Sequence, residues 1–491
     1  MDVIFNMSRR KRKSKNNNKK IFNIITIISV IIIIIFGIML YLLEMIPEKY
    51  LIIIFSLFIV LYLILTCLVI KRNIKSKIKV FCIILFIIFD IIFCIGIKYI
   101  SKTINFIDVI NNELFQKEEF YIMVNKDSKY EKLEDLQNKL IGVYSSLNSD
   151  KAIETLDKKV KSETKKYSDT IAMFDELDER KLDAVLINSS IKNLFNDELK
   201  DTASELRELY VLSVSIKKSD TEVLKVVDVT RKPFNIYVAG GDAYGSIDNV
   251  TNTDVNMIVT VDPINKKILL TSIPRDYYVN LPSFGEEAYD KLTHAGYYGI
   301  EESIKAVEKL LDIDINYYVK VNFSTIEGIV DAIDGIDVYS DFSFKENAFR
   351  KYYFKEGYNH LNGNQALAFA RERKSFMDGD VQRVKNQQKV IEAIIKKVTS
   401  STKLVTNFSR ILDSVSENLS TNMDSKSINK FVKMQLNSMN NWSIESQNLV
   451  GSGSSSTKTY TFPGLELYVM KQDEESITNA KNKIKIITQK S

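Results

Sequence analysis

Cysteine is scarce. The 491 residues hold three, Cys67, Cys82 and Cys94, and all three fall inside long apolar runs. The stretch beyond residue 100 contains none. No disulfide can staple that part, so its stability must come from a packed core. A large excess of one charge is also missing. Lys and Arg number 67 against 62 Asp and Glu, a net charge of +5. So small a surplus does not argue for a nucleic-acid partner. A cleavable secretory leader is not expected either, because the early apolar region is long and no small-residue cleavage site follows it.

What is present is unevenly spread. Residues 1–20 carry Arg9, Arg10, Lys11, Arg12, Lys13, Lys15, Lys19 and Lys20 against the single acid Asp2. Three long apolar stretches follow, at 21–43, 50–70 and 80–100. Each has about the ~20 residues needed to cross a bilayer. The connection at 44–49 has Glu44, Glu48 and Lys49, whereas 71–79 has Lys71, Arg72, Lys75, Lys77 and Lys79 and no acid. Basic flanks stay cytoplasmic, so the spacing predicts a multi-pass membrane protein with a cytoplasmic N-terminus and with 101–491 outside. The basic, Asn-rich start reads as a topology signal that also meets anionic lipid. Asp90, near the middle of the third stretch, reads as packing between helices or as a contact for a lipid head group or partner helix; packing is preferred.

Residues 101–112 read as a short tether. From 113 to 230, strand-like EEFYIMVNK, LIGVYSS and LDAVLIN alternate with helical pieces at 130–139, 151–161 and 172–180. That is a βαβ-type pattern. Arg231-Lys232-Pro233 marks a boundary, since proline disfavours helix in the residue before it. The expected organisation is a basic segment at 1–20, three membrane helices in 21–100, an accessory α/β domain at 101–230 and a second α/β domain at 231–491.

The second domain opens on its most informative stretch, 234–294. Three short apolar runs, 236–239, 255–261 and 268–273, deliver Gly240-Gly241-Asp242, Asp254 and Pro274-Arg275-Asp276 to strand ends. Strand ends of an α/β sheet are where sites for phosphorylated ligands are built. Two carboxylates and an arginine there suggest a metal-bridged phosphate site, ordinary turn residues being the alternative. Helices are expected at 301–311, 323–332, 366–370, 381–398, 405–419, 427–439 and 473–486, strands at 315–321 and 336–340, and a Gly/Ser loop at 451–456. The domain is therefore read as α/β, with helices on both faces of a mixed central sheet.

Arg371 and Arg373 flank Glu372, so an extended segment would point both guanidinium groups one way. Arg383 and Gln387 are four apart on one predicted helix and share a face. Asp380 is placed to begin that helix. With Arg275 this makes four arginines available to one locus, and the planar fork of arginine matches phosphate oxygens. Solvated charged faces remain the other reading of these runs. An apolar groove is sought in Ile304, Val307, Leu310 and Leu311 and in the helix Phe323–Val330, plain core being the preferred role of any single one.

Two resemblances sharpen this. The segments KYEKLEDLQNKLIGV and FDELDERKLDAVLIN resemble part of a type II periplasmic solute-binding protein. Either a ligand-binding role or a spacer is implied for 113–230, and the spacer is preferred. The segments NIYVAGGDAYG, TDVNMIVTVDP, LLTSIPRDYYV, DKLTHAGYYG, DAIDGIDV, LNGNQALAFARERK and GDVQRVKNQQKVI resemble, in order and spacing, the LytR–CpsA–Psr family. The three-helix anchor and extra exported domain look like its CpsA-type members.

That resemblance implies a phosphotransferase moving a glycopolymer from an undecaprenyl-pyrophosphate carrier to peptidoglycan, aided by Mg²⁺ or Mn²⁺. By position, Asp242 and Asp254 resemble the metal-binding carboxylates. Arg275, Arg371, Arg373 and Arg383 resemble the pyrophosphate-binding arginines, with Gln387 in the same site and Lys291 near the lipid head group. Asp254 and Arg275 are the expected catalytic pair. Asp276 is expected to orient Arg275, and His294 has a structural or a catalytic role. Many members carry arginine two residues before the second aspartate, whereas this chain has Asn252. A membrane receptor or sensor, or a transcription attenuator without transferase activity, is the alternative.

Overall fold

The computed structural model describes residues 23–71, 74–112, 115–146, 148–195, 199–217, 225–241, 253–347, 351–400, 407–415, 418–438 and 441–489. Asp242 and Asn252 lie outside these. The chain divides into two compact units, one of residues up to Val109 with Asp424–Met439, the other of Ile110–Met423 with residues from Asn440 on.

The first unit contains three apolar helices long enough to cross a membrane, Asn23–Leu42, Glu48–Ile70 and Ser76–Ile104. Outward side chains are mostly isoleucine and leucine left exposed, as expected of a surface that faces lipid. Inside, aromatic rings fill the seams: Tyr62 packs edge-on to Phe86 and Phe58 edge-on to Phe93. Gly96 admits the ring of Phe36, which a Cβ there would meet at 2.7 Å. Asp90 accepts a 2.6 Å hydrogen bond from the Ser29 hydroxyl of the first helix. This acid joins two spans of its own chain, which agrees with the packing reading. The third helix does not stop at 100. It runs unbroken over Ser76–Asn112, so the expected tether at 101–112 is helix.

The second unit contains two main sheets. The first has five strands in the spatial order Glu163–Tyr167, Leu140–Tyr144, Ala184–Asn188, Phe115–Asn125 and Leu206–Lys217. Of the four pairings the first two are parallel and the last two antiparallel, including the long edge pair Phe115–Asn125 with Leu206–Lys217. One of these strands had no apolar signature to announce it. Glu163–Tyr167 is exposed but for its last residue, and so reads as polar. The amphipathic stretch around 130–139 forms only a 3-10 turn, Leu133–Leu136, which buries Leu133 and Leu136. One face of this sheet joins Met173, Phe174 and Leu177 to Tyr297, Phe462 and Leu467 in one core.

The second sheet has six strands in the order Leu419–Thr421, Tyr317–Val321, Phe234–Gly241, Thr253–Asp262, Lys267–Ile273 and Ser443–Asn448. Tyr317–Val321 is parallel to Phe234–Gly241, which is antiparallel to Thr253–Asp262, itself antiparallel to Lys267–Ile273. The mixed sheet with flanking helices is the α/β architecture expected. Helix Ile300–Leu311 covers one face, and Ile304, Val307 and Leu311 are core residues there, with Leu310 packed against them. The groove reading of these four side chains is thereby corrected. Their 3–4 spacing makes one apolar stripe, and the sheet uses all of it.

Asn322 begins helix Phe323–Ala332 by accepting from Thr325 N at 3.0 Å, and Asn362 begins Gly363–Arg371 by accepting from Gln365 N at 3.0 Å. Within the predicted helix at 405–419 the described part is shorter, Phe408–Val415, and Leu419–Thr421 is a strand. The predicted Gly/Ser loop is also a strand. Gly451–Ser456 pairs antiparallel with Leu467–Gln472. Its glycines are needed for close approach, since a Cβ on Gly451 would stand 2.2 Å from the Lys471 carbonyl oxygen.

Candidate functional site

The six-stranded sheet gathers charged residues at one end. Gly240 and Gly241 close strand Phe234–Gly241, Val321 closes Tyr317–Val321, and Arg275 follows Lys267–Ile273, while Asp254 opens the antiparallel Thr253–Asp262. All five residues line one cavity of about 560 Å³. It lies at the carboxyl ends of the strands, where open α/β sheets bind ligands.

Asp254 is aimed by a β-bulge. Gly240 pairs with Val255 and Gly241 with Thr253, so Asp254 is the extra residue of the bulge. A bulge turns a side chain out of the regular alternation. Its carboxylate Oδ1 accepts a charge-assisted hydrogen bond from the Arg275 guanidinium. Both side chains stay partly accessible, 16% for Asp254 and 27% for Arg275. The bulge depends on Gly240, where a Cβ would lie 2.8 Å from Cβ of Val255. Gly240→Ala is expected to destabilise the protein by about 1–3 kcal/mol, read from urea denaturation, because the two strands must part to admit the methyl group.

Arg275 is held from behind. Its carbonyl accepts from Thr293 N at 2.9 Å. Asp276 Oδ1 lies 3.9 Å from Arg275 Nε and 3.5 Å from Lys291 Nζ. Asp276 thus sits between the two cations, as a group that orients Arg275 would. Lys291 is not among the cavity-lining residues. Its side chain is only 6% exposed and reaches the site through Asp276.

Next along the chain come Asp290 and His294. Asp290 is fully buried and accepts from Lys291 N at 2.7 Å, from Thr461 N at 2.6 Å and from His294 Nδ1 at 2.6 Å. Burial pushes its carboxyl up, but His294 and Thr461 outweigh burial and hold it below the usual carboxylate range. His294 is itself buried, stacked on Tyr297 and edge-on to Phe462. Of the two roles open to it, this placement fits the structural one.

The remaining arginines arrive on two helices. Arg371 is the last residue of Gly363–Arg371, and the backbone turns extended at Glu372. Glu372 faces inward and accepts from Asn347 N at 2.5 Å and Ser375 N at 2.9 Å. Arg371 and Arg373 both line the cavity, although a helix end rather than a strand places them there. The Arg371 guanidinium lies over the Phe323 ring at 4.1 Å, a cation–π contact. Gly379, whose Cβ would stand 2.5 Å from the Arg373 carbonyl oxygen, lets helix Gly379–Ser400 start close to that loop. Asp380 is its second residue. Arg383 and Gln387 face the cavity one turn apart, as their spacing requires.

The cavity changes character along that helix. Past Gln387 the same face continues with Val390, Ile391 and Ile394, opposite Phe323, Ile326 and Ile329 of helix Phe323–Ala332. Asn386 Nδ2 donates to the Phe369 carbonyl at 3.2 Å and Gln388 Nε2 to the Gln447 carbonyl at 2.9 Å, which fix the helix to its neighbours. The site therefore has a cationic mouth and an aliphatic arm. Sequence reasoning missed the half of the arm on Gly379–Ser400. The signal was there, as Val390, Ile391 and Ile394 repeat the 3–4 spacing begun by Arg383 and Gln387.

Among the described residues no cluster of three or more His, Cys, Asp or Glu side chains could hold a metal alone. The residues present still fit one. A hard divalent cation that bridges phosphate takes one or two carboxylates and completes its shell with phosphate oxygens and water, and the bulge presents Asp254 at the mouth beside phosphate-matching arginines.

A model of the LytR_cpsA_psr family matches residues 199–483, more than half of the chain. The chain belongs to the LytR–CpsA–Psr family. It is 37% identical over 193 residues to the polyisoprenyl-teichoic acid–peptidoglycan teichoic acid transferase TagU of Bacillus cereus strain AH820, a match that takes in 39% of this chain and 61% of TagU. To TagV of Bacillus subtilis strain 168, which carries the same transferase description, it is 35% identical over 205 residues, covering 40% of this chain and 52% of TagV. The chain thus spans about three fifths or less of the length of these relatives. The crystal structure of B. subtilis TagV aligns at 28% identity over 53% of this chain and 99% of that one, with a TM-score of 0.45. This LytR–CpsA–Psr protein brings Asp254, Arg275, Arg371, Arg373, Arg383 and Gln387 to one cavity. It keeps Lys291 a side chain away, and Asp242 and Asn252 are outside the described residues.

Proposed function

We propose that this protein is a phosphotransferase that attaches a glycopolymer, carried on a polyprenyl pyrophosphate, to peptidoglycan through a phosphodiester link. The observation that supports this most is the two-part cavity: four arginines and Asp254 at the mouth, an aliphatic arm behind. An amphiphile with a doubly phosphorylated head and an isoprenoid tail matches both parts. The transferase names of TagU and TagV give the same substrate classes.

In this reading Arg371, Arg373 and Arg383 bind the pyrophosphate oxygens through their planar forks. Gln387 adds a neutral donor, and the tail lies between Phe323–Ala332 and Gly379–Ser400. A peptidoglycan hydroxyl attacks the sugar-linked phosphorus. The new P–O bond forms as the pyrophosphate bridge breaks, and polyprenyl phosphate leaves. Arg275 stabilises the charge that grows on the leaving phosphate. Asp254, already paired with Arg275, is the carboxylate placed to take the hydroxyl proton. Asp254, with Asp242, would hold Mg²⁺ or Mn²⁺, which neutralises pyrophosphate charge when bound. With the basic segments at 1–20 and 71–79 on the cytoplasmic side, the site would lie on the same side of the membrane as its acceptor.

The test uses the full chain in detergent or nanodiscs with a polyprenyl-pyrophosphate oligosaccharide and a peptidoglycan fragment, the joined product being followed by mass spectrometry. Product is expected with Mg²⁺ and absent with EDTA or in Asp254→Asn. Donor binding by a folded protein that never yields product would instead favour a receptor.

A further inference from the structure

Helix Ser425–Ser438 belongs to the same compact unit as the three apolar helices, far from them in sequence. It has three lysines and no acid, SKSINKFVKMQLNS. Lys426, Lys430 and Lys433 stand at i, i+4 and i+7 and share one face. Ile428, Phe431, Val432 and Gln435 repeat the same spacing on the opposite face, where Gln435 is buried. The helix is capped by Asp424, which accepts from Ser427 N at 2.8 Å.

Two contacts fix its depth. Lys433 Nζ lies 3.3 Å from Glu48 Oε1, and Lys49 Nζ donates to the Asn437 carbonyl at 3.1 Å. The second places a cation at the helix C-terminus, where the dipole favours it. Glu48 and Lys49 are the first two residues of the second apolar span. They mark the plane where hydrocarbon gives way to head groups. Tyr41 and Tyr50, both exposed, flank the same turn, and Lys49 Nζ lies 5.0 Å from the Tyr50 ring. Interfacial aromatics sit at this level.

We propose that Ser425–Ser438 is a head-group-binding element, lying at the bilayer surface with Lys426 and Lys430 engaging phosphates of anionic phospholipids. Lys426 and Lys430 are exposed, on the face that carries Lys433 to the span end. A cationic face at head-group depth complements an anionic lipid surface, and each lysine so placed adds to the attraction. The inference does not depend on the transfer chemistry.

The test reconstitutes the full chain in nanodiscs of phosphatidylcholine alone or with phosphatidylglycerol, and follows amide hydrogen exchange of peptides covering 425–438. Exchange there is expected to slow severalfold with phosphatidylglycerol, and the difference should vanish in Lys426→Glu/Lys430→Glu. Peptides from Thr253–Asp262 report whether the variant is folded. Lys426→Gln/Lys430→Gln, which removes charge without reversing it, should also lose the difference. Equal exchange in both lipids overturns the proposal. So does equal slowing by soluble polyphosphate in phosphatidylcholine discs, which would mark a site for free anions.

Discussion

Replacing Arg275 with alanine is expected to lower transfer by about 10²–10³-fold, the usual loss when one donor to a developing charge is removed. Arg275 is the cation tied to Asp254, and Asp276 and Lys291 stand behind it. A group held on two sides spends little reorganisation when charge develops on the leaving phosphate. The loss should therefore fall on kcat rather than KM. Arg275→Lys keeps the charge but loses the fork and should recover only part of the rate. Arg371→Ala should cost less and act mainly on KM, since Arg373 and Arg383 share the binding of phosphate. Arg275→Ala also leaves the Asp254 carboxylate without its guanidinium, so melting must be followed alongside rate. If Arg275→Ala and native protein, equally folded, transferred within about threefold of each other, Arg275 would have no part in stabilising the leaving group.

The site was legible in the sequence wherever one residue's place follows from spacing. Arg383 and Gln387 share a face because a helix turns every 3.6 residues, and Asp254 and Arg275 meet because apolar runs of strand length end beside them. What spacing does not carry is how one strand meets another. The bulge that aims Asp254 is a property of the pairing of Phe234–Gly241 with Thr253–Asp262, so neither strand announces it alone. The same holds for Gly451–Ser456, whose composition reads as loop until Leu467–Gln472 supplies its hydrogen bonds. Glu163–Tyr167 is an edge strand with almost nothing to bury, and polar residues suffice there. Half of the groove was misplaced for a related reason. The stripe Ile304, Val307 and Leu311 and the stripe Val390, Ile391 and Ile394 look alike as sequence. The first is sealed against the six-stranded sheet, whereas the second, although Val390 also joins a core, lines the cavity.

Asp290→Ala is expected to destabilise the protein by about 3–5 kcal/mol, since three buried donors lose their acceptor at about 1–3 kcal/mol each. The carboxylate is fully buried and takes hydrogen bonds from His294, from Lys291 N and from Thr461 N. Alanine leaves all three donors in a dry interior. The same carboxylate sets a pH dependence. The folded-state pKa of Asp290 is lowered, so its contribution is fully present above the unfolded value of ~3.9. It is lost as pH falls from there through the folded value. Native protein should therefore lose stability steeply below about pH 4, and Asp290→Asn should show a shallower slope there, measured by urea denaturation at stepped pH. The consequence reaches the site. Thr461, whose amide Asp290 holds, also accepts from the Tyr144 hydroxyl at 2.8 Å, and Lys291, the next residue, faces Asp276 behind Arg275. A milder change, Asp290→Asn, keeps the shape and removes the charge. Transfer that falls in this variant, at a pH where it is fully folded, would show that the buried pair positions Arg275 as well as stabilising the fold.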